Sequence, residues 1–480
     1  MTEFVFKTTP YQHQVDALTI SHNREKFALF MEMGCGKSKV IVDNFVHLFK
    51  NQKINGVLIL APKGVYDTWF SKEIPIHTPD EIDYHIVKWS NANTKKNKKS
   101  LATLFEEPDR LNILTMNIEA LSTKKGAQFI ADFLFKRKCM FIVDESTTIK
   151  NHKAKRTINA VRLGKYAYYR RILTGSPVTK SPLDLYSQAY FLDPSLLGFT
   201  SYFSFRARYA NLMDRSAKGR TFKQVVGYKN LTELNESLLK FSYRVLKKDC
   251  LDLPDKVYLK RIIQMTDEQK RVYKDLQKQA KAQLTTGTVT TVHLITQLVR
   301  LHQVSCGFVG LDGGGLIELP SQRLPELMEI LEETHGKVII WVNYIHDIQK
   351  IEQELIKIYG PESVGTYYGG VGQERRAEVI DKFQDLKSPL RFFVGNTQTG
   401  GYGITLTAAS TVIYYSNNYD LEKRLQSEDR AHRIGQVNKV TYIDIVCEKT
   451  VDEKIVKSLR QKQNIAQTVL GEEKWKDWLV

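Results

Sequence analysis

The segment KFALFMEMGCGKSKVIVDNFVHLF (residues 26–49) runs from an apolar stretch through a glycine-rich turn into a helical pattern. In its GCGKS core (34–38), glycines let backbone N–H groups approach phosphate oxygens, Lys37 can reach the outer phosphates, and the Ser38 hydroxyl can hold Mg²⁺. The pattern G-x-x-x-x-G-K-[ST] is met except at its first position, where Met31 stands. A strand, a loop and a helix in this order predict a phosphate-binding loop. The residues expected to contact a nucleotide here are Gly34, Gly36, Lys37 and Ser38.

Further apolar runs, each ending in a polar or glycine-rich turn, repeat this pattern in both halves of the chain. Those in the N-terminal half are GVLILAP (56–62), LNILTM (111–116), CMFIVDE (139–145) and YRRILTG (169–175). Those in the C-terminal half are KVIIWVN (337–343), SVGTYYG (363–369), LRFFVGN (390–396), TVIYYS (411–416) and VTYIDIV (440–446). Such runs are typical of buried parallel strands with functional residues at their C-terminal ends. They predict an α/β fold with two doubly wound parallel-sheet lobes and helical insertions between them.

The chain of 480 residues is longer than the roughly 250 to 300 residues that one core supports. The predicted division is an N-terminal lobe at 1–180, helical insertions and a connector at 181–332, and a C-terminal lobe at 333–480.

Within the middle part, DEQKRVYKDLQKQAKAQL (267–284) has helical spacing, and LPDK (253–256) predicts an extended connector. The three glycines at 313–315 predict a hairpin turn. The lysine-rich NANTKKNKKS (91–100) predicts a solvated surface loop.

The chain is basic, with 70 Lys and Arg against 53 Asp and Glu, a formal net charge of +17 and a sequence pI near 9.3. This balance favours a polyanionic partner such as nucleic acid, although a solvated basic surface is the other interpretation.

The five cysteines are scattered and have no paired CxxC spacing, which indicates a reducing compartment and no structural metal. No apolar run approaches about 18 residues, and MTEFVFKTTPYQHQ (1–14) has no apolar run with a basic flank, so no membrane association is expected. These patterns predict a soluble protein of the cytoplasm, associated with the nucleoid, or of the host cytoplasm if the chain is phage-encoded.

Two carboxylates, Asp144 and Glu145, follow the strongest strand pattern, in DEST (144–147). At the end of a parallel strand they would share a crevice with the phosphate loop, with Asp144 as a Mg²⁺ ligand and Glu145 orienting or deprotonating water. The alternative is an ordinary helix N-cap.

Two arginines, Arg430 and Arg433, lie in QSEDRAHRIGQ (426–436), which we interpret as a helix start. A spacing of i and i+3 places them on one helical face, where they can stabilise charge on a transferred phosphoryl group. A surface salt-bridge pair is the alternative.

Taken in order, these motifs resemble the Swi/Snf-type ATPases, the chromatin-remodelling and DNA-translocase branch of helicase superfamily two. The further matching segments are HQVDAL (13–18), APKGVYDTWFSKE (61–73), DESTTIKN (144–151), LTGSPV (173–178), LYSQAYFLDP (185–194), TQTGGYGITLTAAS (397–410) and TVDEKI (450–455). The chain departs from the family pattern at Met31, where Asp is usual, at Cys35, where Leu is usual, and at Thr147, where His is common.

The resemblance implies two RecA-like lobes that hydrolyse ATP with Mg²⁺ between them, and double-stranded DNA, or less often single-stranded DNA, as the track. It implies that Gln14 reads adenine, with Gln12 as an alternative, and that Gly403 and Gln426 contact the nucleotide. The DNA-contacting positions it implies are Lys63, Thr115, Asn117, Lys150, Ser176 and Thr399.

The expected function is therefore that of a DNA-dependent ATPase that translocates on duplex DNA and displaces or remodels what it meets, with the recruiting protein unassigned. One alternative is a strand-separating or branch-migrating helicase. A second is a nucleotide-gated DNA-binding scaffold with little turnover.

Cys35 supports one more expectation, because a thiol near a helix N-terminus favours the thiolate. Alkylation of Cys35 would then inhibit hydrolysis, and ATP would protect. The other interpretation is a small residue that the loop tolerates.

Overall fold

The computed structural model describes residues 4–470 except 64, 93, 218–219, 286–290, 312 and 401–403. Its residues form two compact units. The N-terminal unit lies within Met1–Arg215, Phe222–Asp252 and Ile465–Lys474, and the C-terminal unit within Ser216–Thr221 and Leu253–Asn464.

The strands up to residue 252 are β1 (Lys26–Met31), β2 (Gly56–Ala61), β3 (Tyr84–Lys88), β4 (Leu111–Asn117), β5 (Cys139–Asp144), β6 (Tyr169–Leu173), β7 (Ala210–Ala217), β8 (Arg220–Tyr228) and β9 (Ser242–Val245). The helices in the same part are α1 (Gln12–Ser21), α2 (Lys37–Lys50), α3 (Tyr66–Thr68), α4 (Ile74–His77), α5 (Lys95–Ala102), α6 (Lys124–Lys136), α7 (Lys155–Gly164), α8 (Leu185–Leu192), α9 (Tyr202–Tyr209), α10 (Leu231–Leu239) and α11 (Lys247–Cys250).

From residue 253 onwards the strands are β10 (Lys256–Ile263), β11 (Phe308–Gly310), β12 (Leu316–Glu318), β13 (Lys337–Trp341), β14 (Val364–Tyr367), β15 (Phe392–Gly395), β16 (Ala409–Tyr414) and β17 (Val440–Cys447). The helices are α12 (Asp267–Thr285), α13 (Thr291–Cys306), α14 (Arg323–Glu333), α15 (Ile345–Tyr359), α16 (Gln373–Gln384), α17 (Thr397–Gly400), α18 (Leu421–Glu428) and α19 (Val451–Leu470).

Each unit is built on one parallel sheet. The N-terminal sheet has seven strands in the order β3-β4-β2-β5-β6-β1-β9, and the C-terminal sheet has six in the order β10-β17-β16-β13-β15-β14. All pairs within these two sheets are parallel, as the apolar runs predicted.

Both sheets are covered on both faces, because successive side chains of a strand point to opposite sides. In β2, Val57 and Ile59 pack into one hydrophobic cluster, whereas Leu58 and Leu60 pack into another. The same alternation places Ile339 and Trp341 of β13 opposite Val338 and Ile340. The prediction of two doubly wound α/β lobes is therefore confirmed.

Three strands of the two parallel sheets were missed in the sequence, and all three lie at sheet edges: β3, β9 and β10. An edge strand is partly exposed, so its apolar run is interrupted; β10 reads KVYLKRII and only its last residue is buried. These strands also explain why the two units differ from the predicted boundaries at 180 and 332. The segment between those boundaries gives β9 to the first sheet and β10 to the second, and the two units divide at LPDK.

Other local expectations had mixed outcomes. The lysine-rich segment 91–100 is not a loop throughout, because residues from Lys95 form α5, whose first turn is capped by the Thr94 hydroxyl accepting from Asn97 N. A two-stranded sheet of β7 and β8 occurs in the part expected to be helical. The glycine turn is confirmed, since Gly314 and Gly315 have φ of 88° and 85° between β11 and β12.

Among the described helices, none has both the length and the apolar character needed to cross a bilayer.

Candidate nucleotide-binding site

The phosphate loop joins β1 to α2 through two glycines in the left-handed region, Gly34 at φ 88° and Gly36 at φ 79°. A Cβ at position 36 would lie 2.0 Å from Gln14 Nε2. Both the backbone conformation and the space therefore require glycine. The loop exposes the N-terminal end of α2, which starts at Lys37, as expected for an anion site.

The Lys37 ammonium folds back over the loop. Its Nζ donates to the carbonyl oxygen of Met31 at 2.8 Å and to that of Glu32 at 3.2 Å. Ser38, the next residue, is half-buried in the first turn of α2. A phosphate at the loop would thus compete with two uncharged oxygens for Lys37, an exchange that favours the charged ligand.

Asp144 lies at the C-terminal end of β5, in register with Leu173 at the end of β6. Leu173 in turn pairs with Leu29 of β1, so these three strands end at one edge of the sheet, beside the loop. Asp144 Oδ2 accepts from Trp69 Nε1 at 2.8 Å, and Oδ1 accepts from Glu145 N at 2.9 Å. Burial raises the pKa of Asp144, and the Trp69 bond and the Lys37 charge oppose that rise.

Glu145 is held in the left-handed region, at φ 48° and ψ 61°, which is rare for a side chain of this kind. Strain of this sort costs of order 1–3 kcal/mol and clusters at functional sites. Glu145 Oε2 accepts from the Thr174 hydroxyl at 3.4 Å. The residue precedes the short 3₁₀ helix Ser146–Ile149 but makes no side-chain cap bond, so the N-cap alternative is not realised.

Gln188 of α8 supports this edge and was not singled out in the sequence. Its Oε1 accepts from Ser146 Oγ at 2.7 Å, and its Nε2 donates to the carbonyls of Pro177 and Asp184, both at 2.9 Å. The fully buried amide thereby ties the segment after β5 to the segment after β6. Trp69 lies in the family-like segment 61–73, and its bond to Asp144 gives it a role.

Gln14, rather than Gln12, lies against the loop. Gln14 Nε2 donates to Cys35 O at 3.3 Å, and His13 Nε2 contacts the same oxygen at 2.8 Å. Gln12 is exposed and bonds to Asp16 at 2.8 Å. The positions agree with Gln14 as the adenine-reading candidate, although its role stays a prediction.

An open cavity of about 730 Å³ lies beside the loop in the N-terminal unit. Its lining comes from the start of α1, from β9 and from the segment after β9, and includes Tyr11, His13, Tyr243 and Cys250. The rings of Tyr11 and His13 are stacked, with centroids 5.8 Å apart.

Strand β9 and the segment after it are bonded to the base of the loop. Glu32 N donates to Val245 O at 2.9 Å, and Glu32 Oε2 accepts from Lys247 N at 2.6 Å. Arg244 reaches the carbonyls of Phe30 at 3.0 Å and Gly175 at 2.9 Å.

The expectation of a thiolate at Cys35 is wrong. The side chain is fully buried, and burial raises the pKa of its thiol, as does the neighbouring Cys250; the Lys37 charge opposes this but does not prevail. Desolvation of the charged form therefore outweighs the helix N-terminus.

In the C-terminal unit, the helix expected to carry the two arginines ends before them. α18 ends at Glu428, and Arg430 and Arg433 lie in the turns that follow. The Gln436 side chain holds these turns by donating to the carbonyls of Thr407, Ala409 and Ala431. The interpretation as a helix start is corrected.

The two arginines nevertheless converge. Arg430 Nη1 donates to Ile404 O at 3.1 Å and Arg433 Nη1 to the same oxygen at 3.4 Å. Arg430 is almost fully buried, and its Nε donates to Gln426 O at 2.9 Å. Gln426 is itself buried, and Gly403 lies outside the described residues.

A buried ionic cluster anchors α18. Arg424 binds Asp444 through Nη1 at 2.5 Å and Nη2 at 3.0 Å, and Glu428 through Nε at 2.8 Å. Glu428 also accepts from the Tyr258 hydroxyl at 2.8 Å. The Asp444 carboxylate holds the pKa of Arg424 well above its usual range, in spite of burial. Charged partners thus fix the chain just before the two arginines.

The positions expected to contact DNA occupy different environments. Lys63 is exposed just beyond β2, Asn117 ends β4, and Ser176 follows β6, all at the edge of the N-terminal sheet that carries the loop. Lys150 Nζ donates to Thr179 Oγ1 at 2.6 Å. Thr399 lies on α17 and is half-buried.

Thr115 is an exception. It lies within β4 and is completely buried, so its side chain has no surface to offer a duplex. A strand interior position is covered by helices on both faces, which corrects its assignment as a DNA contact.

Two family models match the chain. The SNF2-related domain matches residues 11–307, and the helicase conserved C-terminal domain matches residues 321–435. The chain belongs to the SNF2-related family.

Among its curated relatives, the putative ATP-dependent helicase/translocase YwqA of Bacillus subtilis (strain 168) is 25% identical over 92% of this chain and 46% of its own length. The ATP-dependent helicase brm of Drosophila melanogaster is 25% identical over 94% of this chain and 28% of its own length. The chain thus spans less than half of these relatives. The solved Sulfolobus solfataricus SWI2/SNF2 ATPase core in complex with dsDNA is 23% identical, with 98% of each chain covered and a TM-score of 0.43.

Proposed function

We propose that the chain is an ATP-dependent motor that moves along double-stranded DNA. The observation that carries this proposal is the meeting of the phosphate loop, the carboxylate pair and Thr174 at the ends of three adjacent parallel strands. Membership of the SNF2-related family supports ATP hydrolysis as the chemistry. The Bacillus relative is a putative ATP-dependent helicase/translocase, which supports movement along nucleic acid.

The side chains at this edge suit a magnesium nucleotide. Lys37 would exchange the carbonyls of Met31 and Glu32 for phosphate oxygens. The Ser38 hydroxyl and the Asp144 carboxylate are hard oxygen ligands of the kind Mg²⁺ prefers. When bound, Mg²⁺ neutralises charge on the outer phosphates.

Glu145 is the candidate that orients the attacking water and accepts its proton. Its strained backbone and its contact with Thr174 fix where the carboxylate points. Arg430 and Arg433 are predicted to stabilise charge on the transferred phosphoryl group, an effect of about 10³ to 10⁵ in rate in other systems.

Contacts to the DNA backbone would suit a motor that has to work on any sequence. The net charge of +17 provides the long-range attraction. Affinity for duplex DNA should fall with salt, with a slope of about 0.9 per phosphate contact. A flat salt response would contradict backbone tracking.

The experiment is steady-state ATP hydrolysis without nucleic acid and with single-stranded DNA, duplex DNA or duplex RNA. Glu145→Gln is the catalytically inactive control, and Lys37→Ala removes the expected contact with phosphate. We expect duplex DNA to stimulate hydrolysis most and both variants to lose at least about a hundredfold in rate. Stimulation chiefly by single strands or RNA would overturn the proposed track.

The alternative function, a nucleotide-gated DNA-binding scaffold with little turnover, predicts the opposite result. It predicts DNA binding that depends on ATP while hydrolysis in the wild type matches that of Lys37→Ala. Displacement of the third strand from a DNA triplex, driven by ATP, would establish movement.

Strand separation is a second candidate, favoured by the β11–β12 hairpin. Its strands leave Leu316 and Ile317 exposed, 41% and 48% respectively, as an apolar wedge between bases would require. A labelled-duplex unwinding assay beside triplex displacement distinguishes the two activities. Loss of unwinding in Ile317→Ser, with ATP hydrolysis retained, would establish the hairpin as the wedge.

A further inference from the structure

Two cysteines from distant parts of the chain meet at the phosphate loop. Cys35, between the two loop glycines, has its Sγ 3.7 Å from the Sγ of Cys250, the last residue of α11. Both belong to the N-terminal unit, and both thiols are free. Cys35 is also a position where the family usually has Leu.

The two sulfurs differ in access. Cys35 is fully buried, whereas Cys250 is partly exposed and lines the cavity beside the loop. A small oxidant entering this cavity would therefore meet Cys250 first. Cys35, in van der Waals contact behind it, is placed to resolve the oxidised product.

We propose that Cys35 and Cys250 are a modification site, which a peroxide closes into a reversible disulfide that inactivates the phosphate loop. The Cys250 thiolate attacks one peroxide oxygen, the O–O bond breaks, and the leaving hydroxide takes up a proton, giving a sulfenic acid and water. The Cys35 sulfur then attacks the sulfenic sulfur. The S–S bond forms, the S–O bond breaks, and a second water leaves with the Cys35 proton. Two thiols lose two electrons, and hydrogen peroxide gains them.

Closing the bond would move the loop. A disulfide has an S–S distance of about 2.05 Å, so the sulfurs have to approach from 3.7 Å. Gly34 and Gly36 flank Cys35 and let the backbone adjust. The Cys35 carbonyl is bonded to His13 and Gln14, so the same movement would disturb the contacts that place the loop and α1. The effect on activity rests on the proposed ATP hydrolysis, whereas the bond itself does not.

Burial and the charged groups around Cys35 and Cys250 affect the rate at which the disulfide forms. Burial raises the pKa of both thiols, and the carboxylates of Glu32 and Asp249 add to this at Cys250. Lys247 opposes the rise at Cys250, and Lys37 opposes it at Cys35. Because the thiolate is the nucleophile, the reaction should be slow at neutral pH and should accelerate as pH rises.

The test treats the full chain with hydrogen peroxide at mildly alkaline pH, followed by tryptic digestion without reductant. We expect peptide 27–37 joined to peptide 249–256, with the mass of the pair less two hydrogens. DNA-stimulated ATP hydrolysis should fall at least about tenfold and recover with dithiothreitol, which does not reverse methionine oxidation.

Two variants test whether the loss of ATP hydrolysis under peroxide is due to the disulfide between Cys35 and Cys250. Cys250→Ala should form no joined peptide and should keep its own starting activity under peroxide, whereas Cys306→Ala, which removes a buried cysteine of the other unit, should behave as wild type. Absence of the joined peptide in the wild type, or equal inactivation of Cys250→Ala, would overturn the proposal. A joined peptide without loss of hydrolysis would overturn its regulatory part. An unoxidised protein that lacks ATP hydrolysis would refute the proposed function instead, since peptide mapping still decides the bond.

Discussion

Two buried arginines, one in each unit, are accommodated in opposite ways. Arg424 in the C-terminal unit is paired with the carboxylates of Asp444 and Glu428. Arg171 in the N-terminal unit is fully buried with no carboxylate partner among the described residues, and its guanidinium donates to neutral oxygens of Ser21, Glu25, Asn44 and Arg170. Burial lowers the pKa of Arg171 to about 9, whereas carboxylates raise that of Arg424.

The same contrast extends to the functional segments. The phosphate loop is held by contacts to backbone carbonyls: that of Cys35 contacts His13 and Gln14, and those of Met31 and Glu32 accept from Lys37. The turns that carry Arg430 follow a helix held by ions. Neutral contacts exchange at modest cost, while breaking a buried ion pair leaves an uncompensated charge. The comparison indicates an adaptable loop in one unit and a fixed support in the other.

The largest expected effect comes from Arg424→Met. The change leaves Asp444 buried without its cation and Glu428 with only Lys256, at 3.3 Å, so the C-terminal unit should lose about 5 kcal/mol. Hydrogen exchange of peptides from β16, β17 and α18 measures the loss separately from the N-terminal unit. The exposed Arg375→Met is the control. If Arg424→Met fails to fold, Asp444→Asn should still accelerate hydrogen exchange in the same peptides. Unchanged exchange in that variant would mean that the ion pairs of Arg424 do not stabilise the C-terminal unit.

The buried carboxylate of Asp347 allows a second test of the C-terminal unit. Burial raises the pKa of Asp347 to about 7 from an ordinary 3.8, with Glu318 adding to the rise and Arg323 and Lys350 opposing it. As pH rises, Asp347 loses its proton in the unfolded chain before it does so in the folded protein, so the free energy of unfolding falls between about pH 4 and 7. The fall is about 4 kcal/mol, since each unit of pKa difference between the two states is worth about 1.36 kcal/mol.

Asp347→Asn removes this titration. The stability of the variant relative to wild type should therefore increase across that pH range, as denaturant midpoints at several pH values would record. Parallel profiles for the two proteins would refute the raised pKa.

Arg171→Met should cost less than Arg424→Met, because it leaves only neutral acceptors unpaired. We expect about 1–3 kcal/mol in the N-terminal unit. Exchange of peptides covering β1 and β6 is the measurement, and the exposed Arg162→Met is the matched control. If Arg171→Met lowered the free energy of unfolding as much as Arg424→Met does, then a buried arginine bonded to uncharged oxygens would matter as much as one paired with carboxylates.

The smallest effect concerns the site itself. Trp69→Phe deletes the donor to Asp144 and should lower ATP hydrolysis about tenfold, or about 1.4 kcal/mol. Trp89→Phe changes another buried indole of the same unit, without a bond to Asp144, and should leave the rate within about twofold. Equal rates for the two variants would mean that Trp69 does not position Asp144.

Sequence patterns predicted what depends on local residues. The interior strands β1, β2, β4, β5 and β6 were predictable because burial on both faces gives continuous apolar runs. The phosphate loop was predictable because glycine and lysine carry its chemistry within five residues. The edge strands β3, β9 and β10 were missed because exposure breaks their apolar runs, whereas the edge strand β14, which is mostly buried, was predicted.

Contacts between distant segments could not be predicted in this way. Asp144 and Trp69 are 75 residues apart, and Arg424 and Asp444 are 20 apart on different elements, so neither pair has a spacing signature. The end of α18 before Arg430 depends on Gln436 reaching three carbonyls in another segment. The burial of Thr115 follows from its place inside a sheet whose register only the fold sets.

The short strand β9 has a mechanical consequence. The chain passes from β9 through α11 to LPDK, and β9 lies parallel to β1 from Ala28 opposite Ser242 to Met31 opposite Val245. Tension along the chain from residue 253 would enter the N-terminal unit at this strand. The bonds that would bear part of that load include the one from Lys247 N to Glu32 Oε2 and the one from Glu32 N to Val245 O, at the base of the phosphate loop. Tension on the connector would thus change the geometry of the phosphate loop. The covalent chain would then couple mechanical force to nucleotide binding.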